Sequence, residues 1–426
     1  MNLLSIPYKI CCQFFLWLVF VISVFVDMYN GYIQHYFNTT PFFPALYKGF
    51  ILVICLVVCL LNKWSTFFKC ASLLLFIYVL TWTYWCVCEP YFDLTSELNY
   101  FIKFSFSYWV LAFLFGMKKY INNDEFLKLL TQYGVIAAFS IIVLFYLGLG
   151  VNSYGEIDSA YGFGTKGFFT AGNDIGLVLL LTNCLLCYLY LSTHKIYYLI
   201  KIIVVTIATI MLGTMAGIGG SIIVWIMLIY FILFSSKIFL TRGKKIFMFL
   251  GMFVLLSYIV YNVFYLFSED SYMLERFYVL LAGGSRTSLK EAAEQVFEGF
   301  NIIQWGLGKG YTGFGRSVAL IRNVEGYRLT EMDMHDLIGY YGIIIGGVVL
   351  FFSFYVLYIT FCRYIKYKLP INFWGIIAVC LFIGHGYFAG HAYSSTQSSL
   401  LFVGIAFIIL STKNEQLVLV NNNSYL

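Results

Sequence analysis

Apolar runs of about 20 residues follow one another along almost the entire chain, and this succession constrains the fold more than any other feature. A helix needs about 20 mostly apolar residues to cross the hydrocarbon core of a bilayer. About twelve runs meet this criterion, at 10–28, 43–61, 70–88, 100–117, 129–150, 174–192, 196–213, 219–236, 246–267, 337–361, 373–390 and 396–411. We therefore predict an all-α, polytopic integral membrane protein in which residues 1–426 form a single transmembrane domain.

The composition agrees with this fold class and argues against a nucleic-acid partner and a disulfide framework. Hydrophobic residues make up 61% of the 426 residues and charged residues only 11%, a balance far outside that of soluble proteins. A nucleic-acid partner is not expected, because the net charge of +6 is spread over loops rather than concentrated on the basic face of a soluble module. All eleven cysteines lie in or beside apolar runs, so the sequence contains no disulfide framework.

The basic residues predict the orientation of the chain. Lysine and arginine are concentrated in one set of short loops, for example at Lys118, Lys119, Lys244, Lys245 and Lys366. Short loops rich in basic residues stay on the cytoplasmic side of a membrane, so we expect both termini to be cytoplasmic. The first apolar run has no small-residue cleavage site and is predicted to be retained as a span.

One long polar segment, 268–336, interrupts the apolar runs and is predicted to be a large outer loop that carries short helices. It contains five of the seven arginines of the chain, which are Arg276, Arg286, Arg316, Arg322 and Arg328. Basic residues are usually scarce on the outer side of a membrane, although long loops translocate regardless of charge. We therefore expect a function other than topology to retain arginine in this loop.

An amphipathic helix is predicted from Thr287 onwards, in the segment TSLKEAAEQVFEGF. Ser288 and Glu291 have the spacing of a capping box, and apolar residues then recur at helical spacing. Arg286 comes just before the first turn, where free backbone N–H groups favour anions and a guanidinium adds donors suited to phosphate oxygens. Arg286 is therefore the first candidate for binding phosphate and Arg276 the second, with pairing to a carboxylate or a lipid headgroup as the alternative. The other arginines of the loop, Arg316, Arg322 and Arg328, are further candidates for binding substrate.

A glycine-rich stretch, WGLGKGYTGFG, follows this helix. Gly308, Gly310 and Gly313 formally match a dinucleotide-binding fingerprint, but no βαβ unit surrounds them, so we reject that interpretation. Glycine permits tight turns and close approach of the backbone. We expect a flexible or tight loop near the substrate.

The polar segment ends on an acidic cluster that contains one histidine. Glu331 and His335 are four residues apart and would share a helix face, with Asp333 and Asp336 beside them. These acids could simply complement the helix dipole, or one of the groups could act as a general base that its neighbours tune. A divalent cation is a third possibility, but nothing else in the sequence completes such a site, and we expect no metal.

A smaller outer loop is predicted at 150–173. Its glycines indicate tight turns at the membrane surface. Lys166 is its only cation, and Asn173 ends it. Both residues are candidates for binding substrate.

Three local patterns give the chain a resemblance to the bacterial O-antigen polymerase and ligase superfamily, the lipid-linked glycan polymerases of the Wzy type. GFFTAGNDIGLVLLL is similar to the glycine-aromatic start of a middle span in that family, with the asparagine at Asn173. GGSRTSLKEAAEQVFEGFNIIQWGLGKG is similar to its arginine, amphipathic helix and Gly-x-Gly. EMDMHDLIGYYGIIIG is similar to the helix by which the family returns to the membrane.

The resemblance implies an enzyme that transfers glycan at the outer, periplasmic face of the bacterial plasma membrane. The donor would be an oligosaccharide linked to undecaprenyl diphosphate, so the partners would be this lipid-linked oligosaccharide, membrane lipids and a chain-length regulator protein. It implies no cofactor. Arg286 and Arg276 would bind the diphosphate, and a base at the start of the last polar helix, Glu331 or His335, would activate the acceptor hydroxyl.

Two departures from the ligase branch favour a polymerase. The ligases have a histidine where this chain has Glu331, and a Ser-Arg pair where it has Thr214, Met215 and Ala216. We therefore expect Glu331 to be the base rather than His335. A ligase that transfers polymer to a lipid A core is the first alternative.

An oligosaccharide flippase is the alternative from another class of protein. A transporter should carry charges near the middle of the membrane and broken helices. The predicted spans contain few charges; Lys103 and Lys201 stand out, with Asp27 and Asp174 at span ends. The sequence therefore favours the enzyme.

Overall fold

The structure, a computed structural model, describes residues 5–61, 66–154, 163–234, 284–327 and 330–412, together with six isolated helical positions between 243 and 261. The helices are α1 Ser5–Trp17, a π-helical turn Leu18–Ile22, α2 Ser23–Phe37, α3 Phe43–Leu61, α4 Thr66–Cys88, α5 Leu94–Gly116, a 3-10 turn Lys118–Tyr120, α6 Asn123–Tyr146, α7 Gly172–Thr193, α8 Ile196–Met211, α9 Met215–Phe234, α10 Gly284–Glu298, α11 Ile302–Leu307, α12 Gly310–Ile321, α13 Asp333–Tyr367, α14 Pro370–Phe388 and α15 Thr396–Ser411. The strands β1 Asn152–Tyr154 and β2 Phe163–Thr165 form one antiparallel hairpin in which Asn152 pairs with Thr165.

The chain is an all-α protein with the helices of a membrane protein. Within the described residues, nine helices are long and apolar enough to cross a membrane: the continuous helix α1–α2, then α3, α4, α5, α6, α7, α9, α13 and α14. Two shorter apolar helices, α8 and α15, coincide with two other predicted runs. The twelfth predicted run, 246–267, lies mostly outside the described residues.

Local sequence signals set several helix starts. The Asp93 carboxylate accepts hydrogen bonds from the backbone N–H groups of Thr95 and Ser96 and caps α5. Hydrogen bonding by Ser96 holds the pKa of this carboxyl below its ordinary value. Asn122 caps α6 in the same way, and α14 begins with a proline, Pro370, whose fixed φ suits a first helical position.

Helices α7 and α15 form the centre of the bundle. The most apolar part of α7 is 89% buried, the largest buried share among the nine long helices. It packs against α6, α8, α9, α14 and α15, while α15 also packs against α5. In contrast, α3 and α4 expose large apolar side chains such as Leu61 and Phe76, as expected of surfaces that face lipid.

Helix α13 is broken near its start. Gly342 has φ 62° and ψ −173°, a conformation that essentially only glycine adopts, and it separates a short first part from the long remainder. A Cβ atom at Gly342 would lie 2.2 Å from the carbonyl oxygen of Gly306, and one at Gly308 would lie 2.4 Å from that of Tyr340. The glycines thus allow the turn between α11 and α12 to pack directly on the break.

Helices α10, α11 and α12 lie together at the end of the bundle where α13 begins, called the loop end below. We expected a flexible or tight loop for the glycine-rich stretch; it contains a tight turn at Gly308 and Lys309, and its remainder belongs to the end of α11 and the start of α12. The buried carboxylate of Glu97 explains the order, because it accepts hydrogen bonds from the N–H groups of Tyr311 and Thr312 and from the Thr312 hydroxyl at 2.7–3.1 Å. Glu89 accepts from Gln304 at 2.9 Å and holds α11 on α4.

Candidate functional site

The segment 389–395, between α14 and α15, is held in place by the carboxylate of Asp333. Asp333 is only 2% exposed. It accepts hydrogen bonds from the backbone N–H groups of His391 (2.9 Å), Ala392 (2.5 Å) and Tyr393 (3.1 Å) and from the Ser394 hydroxyl (3.4 Å). Because both carboxylate oxygens already accept hydrogen bonds, Asp333 positions the segment and has little capacity left to accept a further hydrogen bond.

The backbone of this segment adopts an uncommon conformation. Gly390 has φ 68° and His391 has φ 65°, both in the left-handed region. A Cβ atom at Gly390 would lie 2.3 Å from the carbonyl oxygen of Glu331, so only glycine fits there. A left-handed non-glycine residue costs about 1–2 kcal/mol and persists where surrounding contacts impose it. The hydrogen bonds to Asp333 supply that constraint at His391.

His391 lies among three carboxylates. It interacts electrostatically with Asp174 at the start of α7 and with Asp333 and Asp336 at the start of α13. Its side chain is half-buried. An imidazole beside carboxylates is the arrangement that general bases commonly use.

The Asp336 carboxylate holds the residues that directly precede α13. Its Oδ1 atom accepts hydrogen bonds from the Thr330 backbone N–H at 3.0 Å and from the Thr330 hydroxyl at 2.8 Å. Tyr100 of α5 interacts with both Asp333 and Asp336, and its ring stacks on Tyr311 with centroids 4.3 Å apart. Aromatic side chains of α5 and α12 therefore border the acidic start of α13.

A second group of charges adjoins this region from α2 and α3. The Lys48 ammonium lies 3.6 Å from the Asp27 carboxylate and donates to the Thr396 hydroxyl at 2.8 Å. The Tyr133 hydroxyl donates to the other Asp27 oxygen at 2.9 Å. Asp174 interacts with both Asp27 and Lys48, so the charges form a continuous network. We call Asp27, Lys48, Asp174, Asp333, Asp336 and His391 the polar centre.

The structure separates the residues that the sequence placed together after 330. We expected Glu331 and His335 to share a helix face, but α13 begins only at Asp333, and Glu331 precedes it in a left-handed conformation with φ 57°. His335 faces α10, with its ring centroid 6.0 Å from that of Phe297. Its Nδ1 atom is buried without a hydrogen-bond partner in the described part of the chain. Of the three predicted catalytic residues, Asp333 contributes its side chain to the polar centre, whereas His335 lies against α10.

The predicted arginines are distributed over several positions. Arg316 donates to the carbonyl oxygen of Gly326 at 3.0 Å and lies 5.8 Å from the ring centroid of Tyr91, so it holds its own loop. Arg322 directly follows the end of α12 and is half-buried. Arg276 and Arg328 lie outside the described residues.

Arg286 differs from its predicted position. Helix α10 begins at Gly284, so Arg286 lies within the first turn rather than before it. The structure describes its backbone and not its side chain. A role in binding phosphate stays a prediction.

The two candidates from the smaller loop lie near the start of α7. Lys166 donates to the carbonyl oxygen of Thr170 at 2.9 Å, and burial lowers the pKa of its ammonium. Asn173 is in the first turn of α7, next to Asp174 of the polar centre. Among the described residues, no group of three or more His, Cys, Asp and Glu side chains is arranged to hold a metal ion.

The sequence interpretation missed His391, Lys48 and the role of Asp27 and Asp174. The available signal was the presence of charged residues in or at the ends of apolar runs, because ionisable residues within membrane spans are expensive and usually functional. His391 carried no such signal, since it lies in a short polar connection.

No known protein family, curated protein or solved structure matches the chain.

Proposed function

We propose that the protein is a glycosyltransferase that polymerises lipid-linked oligosaccharide repeat units at the outer face of a bacterial plasma membrane. The observation that carries the proposal is the polar centre: a half-buried histidine among three carboxylates, at the loop end of an otherwise apolar bundle. The loop end also carries Arg286 in α10. The resemblance of the sequence to O-antigen polymerases supplies the reaction.

In this proposal His391 is the base that the geometry supports best. The acceptor hydroxyl gives its proton to the imidazole, and its oxygen forms a bond to the anomeric carbon of the donor glycan. The bond from that carbon to the diphosphate oxygen breaks, and the lipid diphosphate leaves with the electron pair. General bases contribute typically about 10²–10⁴-fold to such steps.

The neighbouring carboxylates position and stabilise the base. Asp333 fixes the backbone at His391, while Asp174 approaches from α7. When the imidazole takes up a proton, its positive charge is stabilised by these fixed negative charges in a region of low dielectric. Arg286 would stabilise the diphosphate as charge accumulates on it.

Deletion of the gene followed by electrophoresis of surface glycans tests the proposal. A polymerase predicts loss of the ladder of chain lengths, with a single repeat unit still attached to its carrier. Loss of all attached glycan would instead indicate a ligase or an earlier step, and an unchanged ladder would overturn the proposal. Complementation with the wild-type gene is the control.

A transporter of lipid-linked oligosaccharide is the second candidate, and the break of α13 at Gly342 favours it. Transporters commonly use discontinuous helices and charges within spans at their substrate sites. Reconstitution in liposomes with purified lipid-linked repeat unit separates the two functions. Product longer than one unit supports the polymerase, whereas transfer of unchanged lipid between leaflets supports the transporter.

A further inference from the structure

Helix α11 exposes its apolar side chains and turns its polar one towards the protein. Ile302 is 87% exposed, Ile303 47% and Trp305 39%. Gln304, which lies between them, donates to the Glu89 carboxylate at 2.9 Å. A helix on the water-facing surface of a protein normally has the opposite arrangement, with its apolar side against the core. The outer side of α11 is therefore suited to an apolar environment.

The direction of these side chains is fixed by hydrogen bonds at the start of α11. The Asn301 side chain accepts from the backbone N–H groups of Ile303 and Gln304, and the Gln304 side chain accepts from the Asn301 N–H, which is a complete capping box. Because Gln304 also binds Glu89, the same residue caps the helix and attaches it to the bundle. The exposed apolar side of α11 is thus part of the folded structure.

Helix α13 has a row of exposed apolar side chains after its break. The members of the row recur at intervals of three and four residues, so they share one face of the helix; they are Ile344, Val348, Phe351, Tyr355 and Tyr358. Large exposed apolar surfaces mark sites of contact with membranes or proteins. On a helix long and apolar enough to cross a membrane, such a row is expected to contact lipid.

Helix α11 lies at the end of this row. A Cβ atom at Gly306 would lie 3.7 Å from the Cδ1 atom of Ile344, so α11 directly contacts the first member. The hydrogen bond from Gln304 to Glu89 also joins α11 to the residue that follows α4. Val87, the second-last residue of α4, is 85% exposed. Helix α11 therefore connects two spans at the ends of their exposed apolar surfaces.

The length of α13 after its break indicates the depth of α11 in the membrane. Arg363 and Lys366 come 19 and 22 residues after Ile344, which corresponds to about 28–33 Å at ~1.5 Å per residue. The hydrocarbon core of a bilayer is about 30 Å thick, and charged side chains lie at its boundary rather than at its centre. With Arg363 and Lys366 at one boundary, Ile344 and α11 lie at the other, where tryptophan is enriched.

We propose that α11 is a membrane anchor that inserts the side chains of Ile302, Ile303 and Trp305 among the lipids of the leaflet at the loop end. The partner is bilayer lipid, because the apolar side of α11 continues the row of α13 and lies at the level of the hydrocarbon boundary. The anchor holds the loop end on the membrane beside the start of α13, which carries Asp333 and Asp336 of the polar centre. It requires no transfer reaction and is independent of the proposed function.

A fluorescent label at position 302 of the full-length protein in lipid nanodiscs tests the anchor. The label is attached to Ile302→Cys in a background in which the six exposed cysteines are replaced by alanine; these are Cys11, Cys70, Cys86, Cys88, Cys362 and Cys380. Val348→Cys is the reference for contact with lipid, and Glu325→Cys, at an exposed loop position, is the reference for water. The background without an added cysteine gives the signal to be subtracted.

Two quenchers distinguish the environments of the label. A phospholipid with a nitroxide near the carboxyl end of its acyl chain should reduce emission at positions 302 and 348 at least about twofold, because an interfacial anchor reaches that depth. Iodide in the buffer should quench the label at 325 and leave the other two nearly unchanged. Unfolding midpoints verify that each variant is folded.

Two results would overturn the proposal. Quenching by iodide at 302 as strong as at 325 would show that α11 faces water. Protection of the label at 302 from both quenchers would show that a second copy of the chain or another protein covers α11 instead of lipid.

Discussion

The Oδ1 atom of Asp333 accepts a hydrogen bond from the backbone N–H of His391 at 2.9 Å, which joins the start of α13 to the segment between α14 and α15. The other carboxylate oxygen accepts from the next two backbone N–H groups. One side chain thus satisfies three consecutive donors that the left-handed turn at His391 directs into the protein. The conformation of the candidate base depends on this carboxylate.

Replacement of Asp333 by alanine should therefore destabilise the protein as well as abolish polymer formation. Each buried donor left without a partner costs about 1–3 kcal/mol, so the three N–H groups together predict a loss of at least about 3 kcal/mol. The midpoint of thermal unfolding in detergent measures it. Glu325→Ala, at an exposed loop position, is the control. An unchanged midpoint for Asp333→Ala would show that the segment is held by other contacts.

Replacement of His391 by asparagine should remove activity without affecting the fold. Asparagine tolerates the left-handed conformation of this position but has no basic nitrogen. We expect polymer synthesis to fall about 10²–10⁴-fold, with wild-type protein levels and an unchanged unfolding midpoint. Quantified glycan ladders from complemented deletion strains give the measurement.

Two further variants distinguish His391 from the bases that the sequence favoured. His335→Gln should keep the wild-type ladder, because His335 faces α10. The Glu331→Gln variant tests whether the base is the carboxylate of Glu331 or the imidazole of His391. A wild-type ladder from His391→Asn together with loss in Glu331→Gln would assign the proton transfer to Glu331.

The fold class was predictable from sequence because a membrane-spanning helix is recognised from the apolar character of consecutive residues. Length and apolar character alone place α3 and α7 within two residues of their observed bounds, whereas α13 begins four residues before the predicted run and ends six residues after it. The structural details that the sequence did not predict are those that depend on contacts between residues far apart in the chain. Glu97 orders the start of α12 from 214 residues away, so the glycines there resemble a free loop when the local sequence is considered alone.

The candidate site was only partly predictable for the same reason. Asp333 stood out as one of several acids at a helix start, and the structure places it in the polar centre. His391 became a candidate only through its carboxylate neighbours, which belong to α7 and α13. No local sequence pattern relates His391, which precedes α15, to Asp174, which lies more than 200 residues earlier in the chain.

Alanine at Gly342 should destabilise the protein through the break of α13. Its backbone conformation, with φ 62° and ψ −173°, costs of order 1–3 kcal/mol for a residue with a Cβ atom, and the Cβ would lie 2.2 Å from the Gly306 carbonyl oxygen. Such overlap typically adds about 1–3 kcal/mol. We expect a total loss of about 2–6 kcal/mol, measured as the shift of the unfolding midpoint.

Gly384→Ala is the matched control for this substitution. Gly384 lies within α14, and a Cβ there would have no atom within 4 Å. Alanine favours a helix over glycine by about 1 kcal/mol at most, so the variant should be as stable as wild type or slightly more stable. Equal effects of the two substitutions would contradict a specific role for the break.

Arginine variants test whether diphosphate is bound in the first turn of α10. Arg286→Ala should abolish chain extension, because removal of one fixed charge that stabilises a transition state costs about 10²–10³-fold in rate. Arg316→Ala is the control, since Arg316 donates to Gly326 and lies against Tyr91. Its loss should loosen the loop but retain polymer. Ladders normalised to protein level by immunoblot give the comparison, and loss of polymer in Arg316→Ala alone would move the diphosphate contact from α10 to α12.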